Sequence, residues 1–221
     1  MIDELPWQKA LPFAPLRAVW ILISIFLLPS LFISFSLPDA IAILLSTTLA
    51  LPACFGSKDE LGIEISVSGH DLLVVIAAYF GIIFLIAIIS PIWTELLDKL
   101  QISYAKEQDV AELFREASRR DLVLLFISTC FITPIIEEIL FRRIIYGWFC
   151  DLTDNNAALF ITAACFSLAH FFILGIPGLF IMGIGFQLVY IWKKNLLLAI
   201  LLHAVVNSIA TLCQIFFPEL A

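Results

Sequence analysis

Charge is what this chain has least of. Asp, Glu, Lys and Arg make up 14% of its 221 residues, against about 25% in a soluble domain. Only 12 residues are Lys or Arg, spread among 19 acids. A phosphate-binding surface needs clustered basic side chains, so nucleic acid is excluded as a partner. Paired cysteines are also missing. Cys54, Cys130, Cys150, Cys165 and Cys213 each lie in or beside an apolar stretch and none forms a CxxC pair, which argues against a disulfide scaffold and against a cysteine zinc site. The compact HExxH pattern of a zinc-binding helix is absent, as are internal repeats and low-complexity tracts. A cleavable leader is not expected: the first residues include Asp3 and Glu4, and no small-residue cleavage site follows the first apolar run.

Apolar length is what the chain has in excess. It is 62% hydrophobic, with a mean hydropathy of +1.06. A helix needs about 20 apolar residues to cross the hydrocarbon of a bilayer, and the expected fold is an all-α polytopic transmembrane bundle of roughly seven segments. The runs are about Ala18 to Leu37, with a kink at Pro29, then Asp39 to Phe55, Leu72 to Trp93, Leu122 to Phe149, Ala157 to Leu174, Gly178 to Trp192 and Leu196 to Phe217. The run at 39–55 is short enough to be re-entrant. Between the third and fourth runs, Glu95 to Asp121 mixes both signs of charge. Leu100, Tyr104, Leu113 and Phe114 within it predict an amphipathic helix at the membrane interface. The expected location is the cell membrane. By the positive-inside rule, Lys9, Arg17, Lys58, Lys193 and Lys194 favour one side and Lys99, Lys106, Arg115, Arg119 and Arg120 the other. The reading adopted is a cytoplasmic N-terminus.

A few polar residues interrupt the later runs, where each is expensive. Glu137 and Glu138 are adjacent in an apolar helix. Glu138 and Arg142 share a face at i and i+4 and can pair, whereas Glu137 is rotated by about 100° and can face a cavity. Pro134, just upstream, disrupts the helix and can widen the bundle. His170 falls four residues after Phe166, and Asn207 four after His203, so each pair projects together. His70 sits at a loop end and is assigned no function. Taken singly, each group has an ordinary structural explanation: an interfacial charge cluster, a core histidine, an interhelical hydrogen bond. Taken together, they supply a hydrolytic site. Glu137 or Glu138 with His170 can polarise a water, and His203 and Asn207 can donate to a developing oxyanion.

Glu137, Glu138 and Arg142, then Phe166 and His170, then His203 and Asn207 match three motifs in order, preceded by the lead-in Trp192-Lys193-Lys194-Asn195-Leu196-Leu197. On these residues the chain resembles the CPBP family of intramembrane proteases, also called the Abi or CAAX-protease-like family, which includes the type II CAAX prenyl endopeptidases. The likeness covers roughly Asp121 to Ser208. Arg143 departs from it, since many relatives carry glycine there. It divides the chain into N-terminal segments, residues 1–120, and a catalytic helical core, residues 121–217. The resemblance implies cleavage of a membrane-associated protein or peptide near its C-terminus, with Glu137, Glu138, Arg142, His170, His203 and Asn207 at the site. It leaves the cofactor as either zinc or none. If zinc is bound, the ligands are Glu137, His170 and His203, with an open fourth position. The expected mechanism is a glutamate-activated water. Two other classes fit the same residues: a catalytically silent immunity or scaffolding protein, and a proton-coupled transporter, which would show inverted repeats or a path through both faces.

Overall fold

The computed structural model describes residues 14–34, 37–106 and 109–217. Lys9 and the acidic residues Asp3 and Glu4 lie outside them. Among the described residues the chain is helical and no strand forms. The main helices are α1 (Ala14–Ser34), α2 (Asp39–Cys54), α3 (Gly69–Lys99), α4 (Asp109–Glu116), α5 (Arg119–Leu152), α6 (Asn155–Leu168), α7 (Ile176–Lys193) and α8 (Leu196–Phe216). Of these, α1, α3, α5, α7 and α8 are long and apolar enough to cross a membrane, while α2 and α6 are shorter apolar helices. Large apolar side chains such as Phe80, Phe84 and Trp192 face outward. The chain is a multi-pass integral membrane protein.

Local chemistry sets the boundaries. Ser68 and Asp71 form a reciprocal capping box that starts α3. Ser118 caps α5, Asp154 caps α6 and Asn195 caps α8. At 31 residues, α3 is about 46 Å long, more than the hydrocarbon needs, so its last turn carries Glu95, Asp98 and Lys99 beyond the apolar run. Two membrane helices widen into π-helix just before a proline: Ile23–Leu27 before Pro29, and Ser128–Ile132 before Pro134. Proline offers no N–H, and the extra residue per turn absorbs the mismatch.

Two expectations need correction. The run at 157–174 does not stay helical: α6 ends at Leu168, and Phe171 adopts a left-handed φ of 50° in the turn that leads to α7. Hydropathy does not register such a turn because its residues are as apolar as the helix. The predicted amphipathic helix is also shorter. Leu100 and Tyr104 lie outside α4, and Tyr104 Oη donates to Asp98 Oδ1 at 2.8 Å. Within α4, Leu113 and Phe114 turn inward and pack with Ala40 and Leu125.

The helices alternate in direction, and both ends of the bundle are tied. At one end Arg17 Nη1 donates to Phe55 O at 3.1 Å, Lys193 pairs with Asp71, and the segment 60–64 is strapped to α5 and α8. In that strap, Arg143 Nε donates to Glu60 O, Leu196 N–H donates to Gly62 O at 2.7 Å, and the Asn195 carboxamide bonds both backbone groups of Glu64. At the other end Trp93 Nε1 donates to Ile173 O at 2.9 Å. Arg143, the departure from the family pattern, is therefore buried and employed. Close packing fixes α7. A Cβ on Gly183 would come within 3.0 Å of Ala163 Cα in α6, and one on Gly185 within 2.5 Å of Ile82 in α3.

Candidate active site

The site is built on a distorted stretch of α5. In its first π-helical segment the Thr133 N–H reaches back five residues to Ser128 O. The next donor in that register would be Pro134, which has none. Thr129 O is left without its helical partner, and Asn207 Nδ2 of α8 donates to it at 3.0 Å. A second π-helical segment, Ile139–Ile145, carries Arg142 and Arg143. Such segments recur at functional sites because they re-aim the side chains they contain.

Glu138 and Arg142 are completely buried. Arg142 Nε donates to Glu138 Oε2 at 2.8 Å and Nη2 to Oε1 at 3.4 Å. The desolvation penalty for such a pair is several kcal/mol per ion, so further contacts are needed to hold it. Two are aromatic: Arg142 Cζ lies 5.2 Å from the Phe166 ring centre and 5.7 Å from that of Phe186. The third is His203, whose Nδ1 lies 2.9 Å from Glu138 Oε1. A carboxylate held by Arg142 can only accept, so Nδ1 carries the proton.

That assignment leaves His203 Nε2 facing Glu137. The separation from Glu137 Oε2 is 3.8 Å, beyond hydrogen-bond range. Among the described residues Glu137 Oε2 is buried and has no hydrogen-bond partner. The two adjacent glutamates thus occupy different states: Glu138 is fully engaged, and Glu137 has an oxygen to spare. His170 Nδ1 lies 2.8 Å from Phe166 O. A carbonyl accepts only, so Nδ1–H donates and His170 Nε2 is the basic nitrogen. Phe166 is the hub of the cluster, with His170 at 4.8 Å and His203 at 5.9 Å between ring centres. No hydrogen bond or ion pair among the described residues joins His170 to Glu137.

The zinc alternative was tested on the donors. Among the described residues Glu137 Oε2 and the Nε2 atoms of His170 and His203 are uncommitted, and the second nitrogen of each histidine is held by Phe166 O or Glu138, as is usual for ligating histidines. Among the described residues no three His, Cys, Asp or Glu side chains converge as a metal-binding group. The chemistry of these three donors suits zinc but their placement does not bring them together, and no step through a metal is derived.

Sequence reasoning missed Phe186. It is fully buried, and its ring lies 4.8 Å from that of His203 at an interplanar angle of 27°. The only signal was indirect: Gly183 and Gly185 mark a helix packed unusually close to its neighbours. The Thr129 carbonyl was also missed, since its availability depends on helix register rather than residue type.

An all-α membrane bundle holding a buried Glu–Arg–His relay beside an uncommitted glutamate defines a class of membrane-embedded sites built for polar chemistry. Residues 119–209 match the family model described as type II CAAX prenyl endopeptidase Rce1-like. It is 31% identical over 138 residues to the membrane-embedded CAAX protease MroQ of Staphylococcus aureus (strain USA300), covering 60% of this chain and 53% of that protein. It is 24% identical over 160 residues to YdiL of Bacillus subtilis (strain 168), provisionally named a membrane peptidase, covering 72% of this chain and 60% of YdiL. The chain therefore spans less than two thirds of the length of these curated relatives. No solved structure matches it.

Proposed function

We propose that the cluster is the active site of an intramembrane endopeptidase that cleaves a membrane-associated protein or peptide near its C-terminus. The observation that carries this reading is the buried Glu137 oxygen, without a partner and 3.8 Å from a histidine nitrogen whose orientation is held from behind. The match of residues 119–209 to the Rce1-like family model and the names of the relatives support it.

Glu137 accepts a proton from a water as that water attacks the scissile carbonyl, and His170 Nε2 offers a second acceptor. The proton passes between Glu137 and His203 Nε2. The resulting imidazolium is stabilised by Glu138, in the way a carboxylate supports histidine in serine hydrolases. Asn207 spends one N–H on Thr129 O and keeps its second for the oxyanion. His203 Nε2–H joins it in that role once protonated, then delivers the proton to the leaving amine as the C–N bond breaks. Glu138 and Arg142 touch no reacting atom and act by holding His203.

Comparison of protein C-termini between cells with the intact gene and cells carrying Glu137→Ala tests the proposal. New termini present only with Glu137 support it and identify the substrate. Identical termini in the two, with equal amounts of folded protein, refute it.

A further inference from the structure

We infer that Phe186 is a positioning residue for this site, keeping His203 and Arg142 in their working orientation, and that Gly183 and Gly185 place it there. The inference rests on the hydrolytic reading of the cluster. Phe186 belongs to none of the three motifs that define the site, and a fully buried phenylalanine in an apolar helix ordinarily needs no explanation beyond packing.

The orientation of its ring supplies one. A single hydrogen bond to Glu138 Oε1 fixes one nitrogen of His203 but leaves the imidazole free to swing about that bond. Phe186 lies nearly parallel against one face of the imidazole, while Phe166 meets it edge-on at 77°. The two phenylalanines contact each other at 6.1 Å and 76°, forming a corner into which the imidazole fits in one orientation, with Nε2 toward Glu137. The same corner receives the Arg142 guanidinium, within cation–π range of both rings. One ring therefore acts on both partners of Glu138.

The two glycines explain how Phe186 reaches that corner. Even an alanine methyl at Gly183 would press on the α6 backbone at Ala163, and one at Gly185 would overlap the end of Ile82. Without side chains at these positions, α7 settles against α6 and α3 together, and Phe186 projects into the bundle. A leucine at 186 would fill most of the same volume but present no flat face to the imidazole.

The test uses the full chain in lipid nanodiscs without substrate, and the same variants in cells. The chain has three histidines, so each imidazole can be assigned by NMR on histidine-labelled protein, with His70 as the internal reference. Phe186→Leu should shift the His203 signals by removing the ring current of the stacked face, leaving only that of Phe166, and leave those of His70 unmoved. It should also slow formation of the Glu137-dependent termini about tenfold, the scale set by one aromatic stack. Phe186→Tyr, which keeps the face, should restore both. If Phe186→Leu does not fold, Phe186→Met replaces it. Wild-type cleavage in the leucine variant, or slowed cleavage with unmoved His203 signals, overturns the inference. Absence of any Glu137-dependent termini in wild-type cells refutes the protease reading instead, and the NMR arm then decides alone whether Phe186 orients His203.

Discussion

Removing Arg142 should separate the stability of the buried relay from its function. Arg142→Met keeps the length and apolar character of the stem but leaves Glu138 at zero exposure, with His203 as its sole remaining partner. Breaking a buried ion pair from one side costs about 3–5 kcal/mol, because the survivor is an uncompensated charge. The desolvated Arg142 contacts with Phe166 and Phe186 add up to about 2 kcal/mol each. Glu138 can relieve part of the cost by taking up a proton, so the lower bound of about 3 kcal/mol is the expected value. For a domain of this size that is a fall in Tm of roughly 6–12 °C. Pairing Arg142→Met with Glu138→Leu removes both charges, and most of the stability should return, since buried pairs are often replaceable by apolar residues. Activity should not return, because His203 Nδ1 then has no acceptor. Thermal unfolding in nanodiscs and the count of Glu137-dependent termini measure the two quantities. A single variant as stable as wild type, or a double variant that still cleaves, would refute the assignment of Glu138 and Arg142 as the support of His203.

Other perturbations probe the scaffold. Asn207→Ala leaves the part-buried Thr129 O without its donor, which should cost about 1 kcal/mol and abolish cleavage; an unchanged melting curve would remove the link to Thr129. Pro134→Ala supplies the missing N–H, so it should compete with Asn207 for Thr129 O, slow cleavage and leave the fold intact, as read by termini and circular dichroism. Gly81→Ala meets nothing within 4 Å and should be neutral or stabilise by up to about 1 kcal/mol. Gly183→Val should lower Tm sharply by forcing α7 off α6. Glu60, which with Ser57 caps the turn holding Arg143, has its carboxyl held below the usual carboxylate range by the Ser57 N–H and hydroxyl. A depressed pKa contributes stability above the unfolded value and loses it as pH falls through the folded one. Amide protection factors at 57–62 should therefore fall below about pH 4, and Glu60→Ala should show the same loss of protection at neutral pH.

How much of this was legible beforehand depends on the range of the interaction. The pairing of Glu138 with Arg142 follows from i, i+4 spacing, and so does the contact of His170 with Phe166, because one helix contains both members. The joining of His203 to Glu138 spans 65 residues; the motifs place the two at one site but do not pair them. The helices themselves were visible as apolar runs, but the turn at 169–175 was not. Its Phe171, Phe172 and Ile173 look helical by composition, and only the left-handed Phe171 shows otherwise. Arg143 read as a departure with an open consequence. Its acceptor is a backbone carbonyl in the strap, and a carbonyl has no residue signature. Phe186 was invisible for a related reason: among 20 phenylalanines, the one that stacks on a site histidine differs only in its neighbours across α8.

The adjacency of Glu137 and Glu138 explains why the site can be both rigid and reactive. Two carboxylates on consecutive residues of one helix point about 100° apart, so one arginine on that helix cannot reach both. Arg142, one turn on, can reach Glu138 and leaves Glu137 alone. His203 lies between the two, bonded to the first through Nδ1 and facing the second through Nε2. The charge of Arg142 is met by Glu138, and Glu137 Oε2 and His203 Nε2 face each other as two sites that can hold a proton. A proton with two nearby homes in a dry interior is what general acid–base catalysis requires. The order of the two residues therefore matters as much as their presence. Glu137→Gln should leave the relay intact, the protein stable and cleavage abolished. Glu138→Gln should destabilise the fold and mis-set His203 while Glu137 remains. If the two variants prove alike in both stability and activity, the division of roles between the neighbouring glutamates is wrong.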